Sequence, residues 1–318
     1  MRALVVAILA LTPICSASGQ IAPRGDYHQH LFSPNVAALI TGDSAARGIT
    51  ADDLIAMLDS AQIQRAVVLS VAYTWASANR PTRADEYERV KAENDWTSSQ
   101  VARYPDRLRA FCSVNPLKSW ALDEVARCAR DPQLMRGLKL HFGNSDVDLD
   151  NPENVAQVRK IFQTANDLHM SIVVHMRTSI SKRRNYGREQ ALAFLNQLLP
   201  AAPNVTVQIA HLAGAGDYDS TTDAALGVFA EAIARRDRRM KNVWFDATTV
   251  VLHDIPREKA DLVARRIRQV GVKRVLYGSD ARSGNPAPRE GWADFQKLPL
   301  SAKEIRAIAG NVPPYMRK

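Results

Sequence analysis

The sequence predicts an α/β fold, a single-domain (β/α)8 TIM barrel, and three observations carry that expectation. Short apolar runs alternate with amphipathic helical stretches almost from end to end, the repeat that closes into a barrel. A length of 318 residues suits one such unit with modest loops. No Gly-rich phosphate loop follows an early strand, as a doubly wound open sheet would require.

Taken in order, the strand candidates are apolar runs rich in Val, Ile, Leu and Phe: Tyr27–Leu31, Ala66–Val71, Arg109–Val114, Gly137–His141, Ser171–His175, Val205–Ala210, Val243–Asp246 and Val275–Gly278. Between them, helical spacing of apolar residues marks Asp52–Ala61, Ala84–Arg103, Ala121–Ala129, Glu153–Leu168, Arg188–Leu199, Thr222–Arg236 and Arg257–Val270. A last helix, Ala302–Ala309, is expected to stop at Gly310 as its C-cap. No internal repeat or low-complexity linker divides the chain, so residues 20–318 read as one domain.

The amino terminus has a different character. Met1-Arg2 supplies a positive charge, Ala3 to Leu11 a short apolar core, and Ser16-Ala17-Ser18 small residues for cleavage. Residues 1–19 therefore read as a signal peptide, with a secreted or periplasmic mature protein and no stable membrane span after cleavage. Cys112 and Cys128 would remain. In an oxidising compartment they can pair, the alternative being two buried thiols.

The formal net charge is +9. Its clusters at residues 235–239 and 265–268 fall on predicted helices, where a charge run is a solvated face. No aromatic–basic interleaving accompanies them, which argues against nucleic acid as a partner. For the oligomeric state, a symmetric homodimer is the default expectation.

Chemistry enters with Asp26-Tyr27-His28-Gln29-His30. On a strand, side chains two apart share a face, so His28 and His30 can grip one ion. In a (β/α)8 barrel the active groups sit at the C-terminal ends of the strands. His141, His175 and His211 end or follow strands four, five and six, His253 lies beyond strand seven, and Asp280 closes strand eight. Only His169 falls at the opposite end. His28, His30, His175 and Asp280 make a three-nitrogen, one-oxygen set suited to one divalent metal ion, zinc first, with manganese(II) and iron(II) accepting the same set. His211 is placed to polarise a substrate carbonyl or hold water, with ligation of a second metal as its competitor.

These motifs resemble the amidohydrolase superfamily, in its amidohydrolase-related branch of metal-dependent barrel hydrolases. Gly137-Leu138-Lys139-Leu140-His141, Val173-Val174-His175, Ile209-Ala210-His211, Gly278-Ser279-Asp280 and the closing Ile308-Ala309-Gly310-Asn311 carry the resemblance alongside the first histidine pair. It implies one metal held by His28, His30, His175 and Asp280, with His211 catalytic or behind the ligands. Other branches bridge two metals through a carboxylated lysine on strand four, where Lys139 stands; a lysine paired with Asp280 or aimed at the substrate is the alternative.

A bound divalent cation lowers the pKa of its water from about 16 towards ~7. With Asp280 moving the proton, the expected reaction is hydrolysis of an ester, lactone or amide. A metal-dependent non-oxidative decarboxylase is the alternative that the same branch implies. Arg177 and Arg282 stand two residues past His175 and Asp280, and the loop Ser181–Arg188 is basic. Arg177, Arg282, Lys139 and His141 are therefore the substrate-binding candidates, and an anionic or carboxylated small molecule is the expected substrate. Tyr73 and Trp75, beyond strand two, are candidates for an aromatic wall.

Overall fold

The structure, a computed structural model, describes residues 21–251, 255–281 and 286–317. The signal-peptide expectation for residues 1–19 and the candidates His253 and Arg282 lie outside these residues. Eight parallel strands run in the order β1 Gly25–Gln29, β2 Arg65–Leu69, β3 Leu108–Ser113, β4 Gly137–His141, β5 Ser171–His175, β6 Val207–Ile209, β7 Val243–Asp246 and β8 Val275–Leu276, each beside the next in sequence. The seam between β8 and β1 is bridged by Tyr27 N–H to the Tyr277 carbonyl and Asp280 N–H to the His28 carbonyl, both at 2.9 Å. This is the (β/α)8 barrel the alternation predicts.

The helices that cover it are α1 Pro34–Thr41, α2 Ala51–Ser60, α3 Glu86–Ala102, α4 Ala121–Cys128, α5 Phe142–Ser145, α6 Pro152–Asp167, α7 Arg188–Ala193, α8 Ser220–Ala234, α9 Arg257–Val270, α10 Pro288–Phe295 and α11 Ala302–Gly310. Three of them, α1, α5 and α10, add to the expected set. Helix α7 is shorter than the spacing suggests because it passes into a π turn at Phe194–Leu198 and a 3-10 turn at Leu199–Ala201. Gly310 closes the last turn of α11 instead of capping it; the cap is Asn311 in extended conformation. No helix among the described residues is long and apolar enough to cross a membrane.

Two apolar layers result. The outer one lies between strands and helices, and a smaller inner one fills the barrel with Tyr27, Val67, Leu69, Phe111, Val173, Leu276 and Tyr315. Tyr315, from the C-terminal 3-10 turn Pro314–Met316, closes the floor against Phe111, ring centroids 5.0 Å apart. Cys112 on β3 and Cys128 on α4 form a disulfide, so the pairing reading of the two cysteines holds. Of the two basic clusters expected on helices, only residues 265–268 lie on an α-helix, where Arg266 meets Asp223 and Arg268 meets Glu304. Residues 235–239 fall past the end of α8 because that helix stops at Ala234, and there Arg239 meets Asp237.

Helix α1 is held to α3 by a buried carboxyl. Ser33 caps α1 by accepting from Val36 N–H, while its own N–H (3.2 Å) and hydroxyl donate to Glu93. Burial raises the Glu93 pKa from 4.5 to about 7, against the lowering effect of the Ser33 bonds. The folded state therefore holds this proton more tightly than the unfolded chain does. The stabilisation is complete below 4.5 and is lost as pH rises through about 7. Glu93→Gln keeps the shape and removes the titration. Urea unfolding is expected to show the variant gaining about 2–3 kcal/mol on the parent between pH 4.5 and pH 8.

Candidate functional site

At the C-terminal mouth of the barrel the almost fully buried side chains of His28, His30, Lys139, His175, His211 and Asp280 come together. They arrive from β1, β4, β5 and the segments just past β1, β6 and β8. Backbone conformation steers several of them. His211, Leu212 and Ala213 all have positive φ, as do Thr249 and Asp280, a region that costs a non-glycine residue roughly 1–2 kcal/mol. Gly278 is required by proximity, because a Cβ there would approach the His28 Cβ to 2.6 Å and strike the Thr248 hydroxyl.

Each of three imidazoles is oriented through Nδ1. His28 Nδ1 lies 3.1 Å from the Asp246 carboxylate, His30 Nδ1 2.6 Å from the Leu69 carbonyl and His211 Nδ1 3.0 Å from the Thr248 carbonyl. Oxygen acceptors at those positions fix the proton on Nδ1 and leave Nε2 with a lone pair, the tautomer that metal-binding histidines adopt. His28 Nε2 meets the Lys139 ammonium at 3.3 Å, so a positive charge already stands against that lone pair.

Ligand atoms of His28, His211 and Asp280 lie within 4.8 Å of one another. His30 Nε2 is 3.5 Å from Asp280 Oδ1; two acceptors at that separation favour a cation nearby. His175 lies edge-on to His211, centroids 4.9 Å apart, and stacks on His141 at 3.9 Å. Thus the tightest triple contains His211, while His175 reaches the group through ring contacts. Burial, helped by His141, His211, Lys139 and His28, holds His175 well below its ordinary pKa of 6.5. Burial and then His28 lower His211 to about 4, against Asp246 and Asp280. Both rings are neutral at neutral pH, as ligation requires. The donor set fits a divalent metal: neutral nitrogens with preset lone pairs beside a carboxylate.

Asp246, at the end of β7, was not among the sequence candidates. Fully buried, it accepts from His28 Nδ1, Gln208 Nε2 at 2.7 Å and His211 N–H at 2.9 Å. Burial alone would raise its pKa. Its contacts with His28, and after them those with His211 and Thr248, together outweigh burial and hold the carboxyl far below the ordinary range. The signal available in the sequence was a carboxylate ending an apolar strand on the same rim as the histidines.

The remaining candidates divide. His141 caps α5 by accepting Asn144 N–H at 3.1 Å, and its ring is 5.0 Å from Tyr73. Arg177 is engaged by Asp219 and Thr221 and lies 4.7 Å over the Tyr186 ring. In the following loop Lys182 and Arg184 both reach Asp146. Trp75 carries the Arg89 guanidinium over its face at 4.7 Å and lines a separate cavity with Asn35 and Trp96.

Comparison with known proteins agrees with this fold. A family profile described as amidohydrolase matches residues 26–311. No curated protein matches the sequence. Among solved structures, 5-carboxyvanillate decarboxylase from Sphingomonas paucimobilis is similar at 14% identity and a TM-score of 0.62, over 92% of this chain and 97% of that one. A zinc-bound amidohydrolase from Burkholderia multivorans is similar at 13% identity and a TM-score of 0.60, over 91% and 96%. A probable 2-pyrone-4,6-dicarboxylic acid hydrolase from Acinetobacter baumannii, with citric acid bound, follows at 16% identity and 0.57, over 91% and 96%. At these identities the likeness is one of fold.

Proposed function

The chain belongs to the amidohydrolase family, whose members are metal-dependent enzymes, and from that premise we propose that it hydrolyses an ester, lactone or amide bond of a small substrate. The observation that supports this most is the Asp280 carboxylate, 3.5 Å from His30 Nε2 and grouped with His28 and His211. In this reading His28, His30, His175 and Asp280 hold one divalent ion, zinc, with His211 beside them on the same centre. The ion would supply Lewis acidity and acidify water.

The chain's own groups supply the rest. Asp280 accepts a proton from the attacking water and returns it to the leaving group. Its backbone N–H is tied to the His28 carbonyl, which fixes where that carboxylate points. With Nδ1–H on the Thr248 carbonyl, His211 offers a lone pair and not a proton. It therefore orients water or joins the ligands, and does not donate to the substrate carbonyl in this tautomer. Lys139, whose ammonium meets His28 Nε2, places a positive charge on the ligand side of that ring, while Asp246 holds the ring from behind. Export from the cytoplasm belongs to the same reading and is supported by the amino-terminal pattern and the disulfide; the mass of the exported protein, showing cleavage near Ser18 or Gly19, checks it.

A panel of aryl esters, lactones and aromatic carboxylates, run in 18O-labelled water on zinc-loaded protein, tests the reaction. Hydrolysis is expected to place solvent oxygen in the acid product and to cease on chelation. Release of carbon dioxide without incorporation, or full activity after chelation, overturns the proposal; the first outcome would establish the decarboxylase alternative.

A further inference from the structure

We propose that the cavity beside the metal centre is a substrate pocket in which Arg80 binds a carboxylate. It has a volume of about 440 Å³ and is lined by residues that follow β1, β2 and β4, including Phe32, Tyr73, Ser77, Asn79, Arg80 and Asn144. All of these lie on the barrel's active end. Two contacts connect the pocket to the histidine cluster. The Phe32 ring is 6.4 Å from the His30 ring, and Tyr73 lies 5.0 Å from His141, which stacks on His175. The pocket is a built structure: Ala78 N–H donates to the Asn144 carbonyl at 2.9 Å, the Ser77 hydroxyl donates to the same residue, and Ser181 from the loop after β5 reaches Asn79 at 3.3 Å.

Charge selects the occupant. Among the described residues no Asp or Glu lines this cavity, and Arg80 is its one charged lining residue. Arg80 is half-buried; its polar contact is Nη1 to the Leu39 carbonyl at 3.0 Å, and no described carboxylate forms an ion pair with it. The other rim cations differ. Arg177 is taken by Asp219, and Lys182 and Arg184 by Asp146. A guanidinium left with open donors, between two aromatic walls and several amide and hydroxyl groups, matches a small organic acid whose apolar body lies on the rings. The anion-reading role expected of Arg177 thus passes to Arg80.

The proposal rests on the hydrolase reading for its kinetic arm alone. That arm compares the mono-4-nitrophenyl ester of glutarate with 4-nitrophenyl pentanoate, which has the same chain length without the charge. Wild-type enzyme is expected to favour the glutarate ester, and Arg80→Met to reduce the ratio of the two kcat/KM values by about 30-fold, mainly through KM. Arg80→Lys, which restores charge without the fork, is expected to recover part of that ratio; this separates anion binding from damage to α1. The second arm is calorimetric titration of glutarate into zinc-loaded wild type and Arg80→Met, with binding expected to be lost in the variant. No preference in wild type, or a ratio unchanged in Arg80→Met, overturns the pocket and leaves the hydrolase reading standing. If wild type cleaves neither ester, the hydrolase reading fails on these substrates and the titration decides alone. Glutarate binding that needs Arg80 then supports the pocket; equal binding to both proteins, or none to wild type, overturns it.

Discussion

Asp280→Asn is expected to lower kcat by about 10³-fold without unfolding the protein. Asparagine keeps the volume and the side-chain dipole but gives up both the charge and the capacity to take a proton from water. It is also among the residues best suited to the left-handed backbone that Asp280 adopts, φ +49°. The seam bond from residue 280 N–H to the His28 carbonyl is a backbone contact and survives the change. Metal analysis of the variant is expected to show weakened retention, because an amide oxygen replaces a carboxylate beside His30. The parent after chelation should resemble the variant in activity. A variant within tenfold of parental kcat, at full metal occupancy, would remove Asp280 from proton transfer.

The second large effect is expected at Asp246, which touches no substrate. Asp246→Ala leaves the His28 Nδ1–H, the Gln208 amide and the His211 N–H without their acceptor in a dry interior. Breaking one side of such a buried charged contact costs about 3–5 kcal/mol. Asp246→Asn is milder for folding, yet it no longer fixes the imidazole tautomer, and metal affinity is expected to fall about 10–100-fold. The pH dependence has a definite sign. The folded pKa lies far below the unfolded 3.8, so the stabilising charge is fully present above 3.8 and is withdrawn only as pH falls through the depressed folded value. Parent and Asp246→Asn should therefore differ most at neutral pH and converge in strong acid, as followed by denaturant unfolding. Competition titration with a chelating dye measures the affinity change; equal affinity in the two proteins would show that the tautomer is fixed in another way.

The barrel was legible because its strands are buried on both faces, so Gly137–His141, Ser171–His175 and Val243–Asp246 stand out as short apolar runs with the same limits in sequence and structure. The rim residues were legible for a related reason: a histidine or aspartate that ends such a run has one place to go in this fold. What stayed hidden depends on distant partners. Asp246 looks like an ordinary strand-ending carboxylate until β1, 218 residues away, brings His28 against it. The Ser33 cap followed by Pro34 is a helix start, but α1 is short and lies where the repeat calls for a loop. Arg177 and Arg80 both follow strands on the correct rim, and only the position of Asp219 shows which of them is already paired. The bond between Cys112 and Cys128 likewise depends on how α4 lies on β3, which a separation of 16 residues does not decide.

Beneath the mouth, one chain of polar contacts runs the depth of the barrel. The Tyr315 hydroxyl donates to the Gln208 side-chain oxygen, the Gln208 amide donates to Asp246, and Asp246 receives His28. Any fraying of the tail that carries Tyr315 would therefore admit water beneath Gln208 and loosen the first histidine from below. On warming, activity would fade ahead of the cooperative melting of the scaffold, and the weak point would be the underside of the protein.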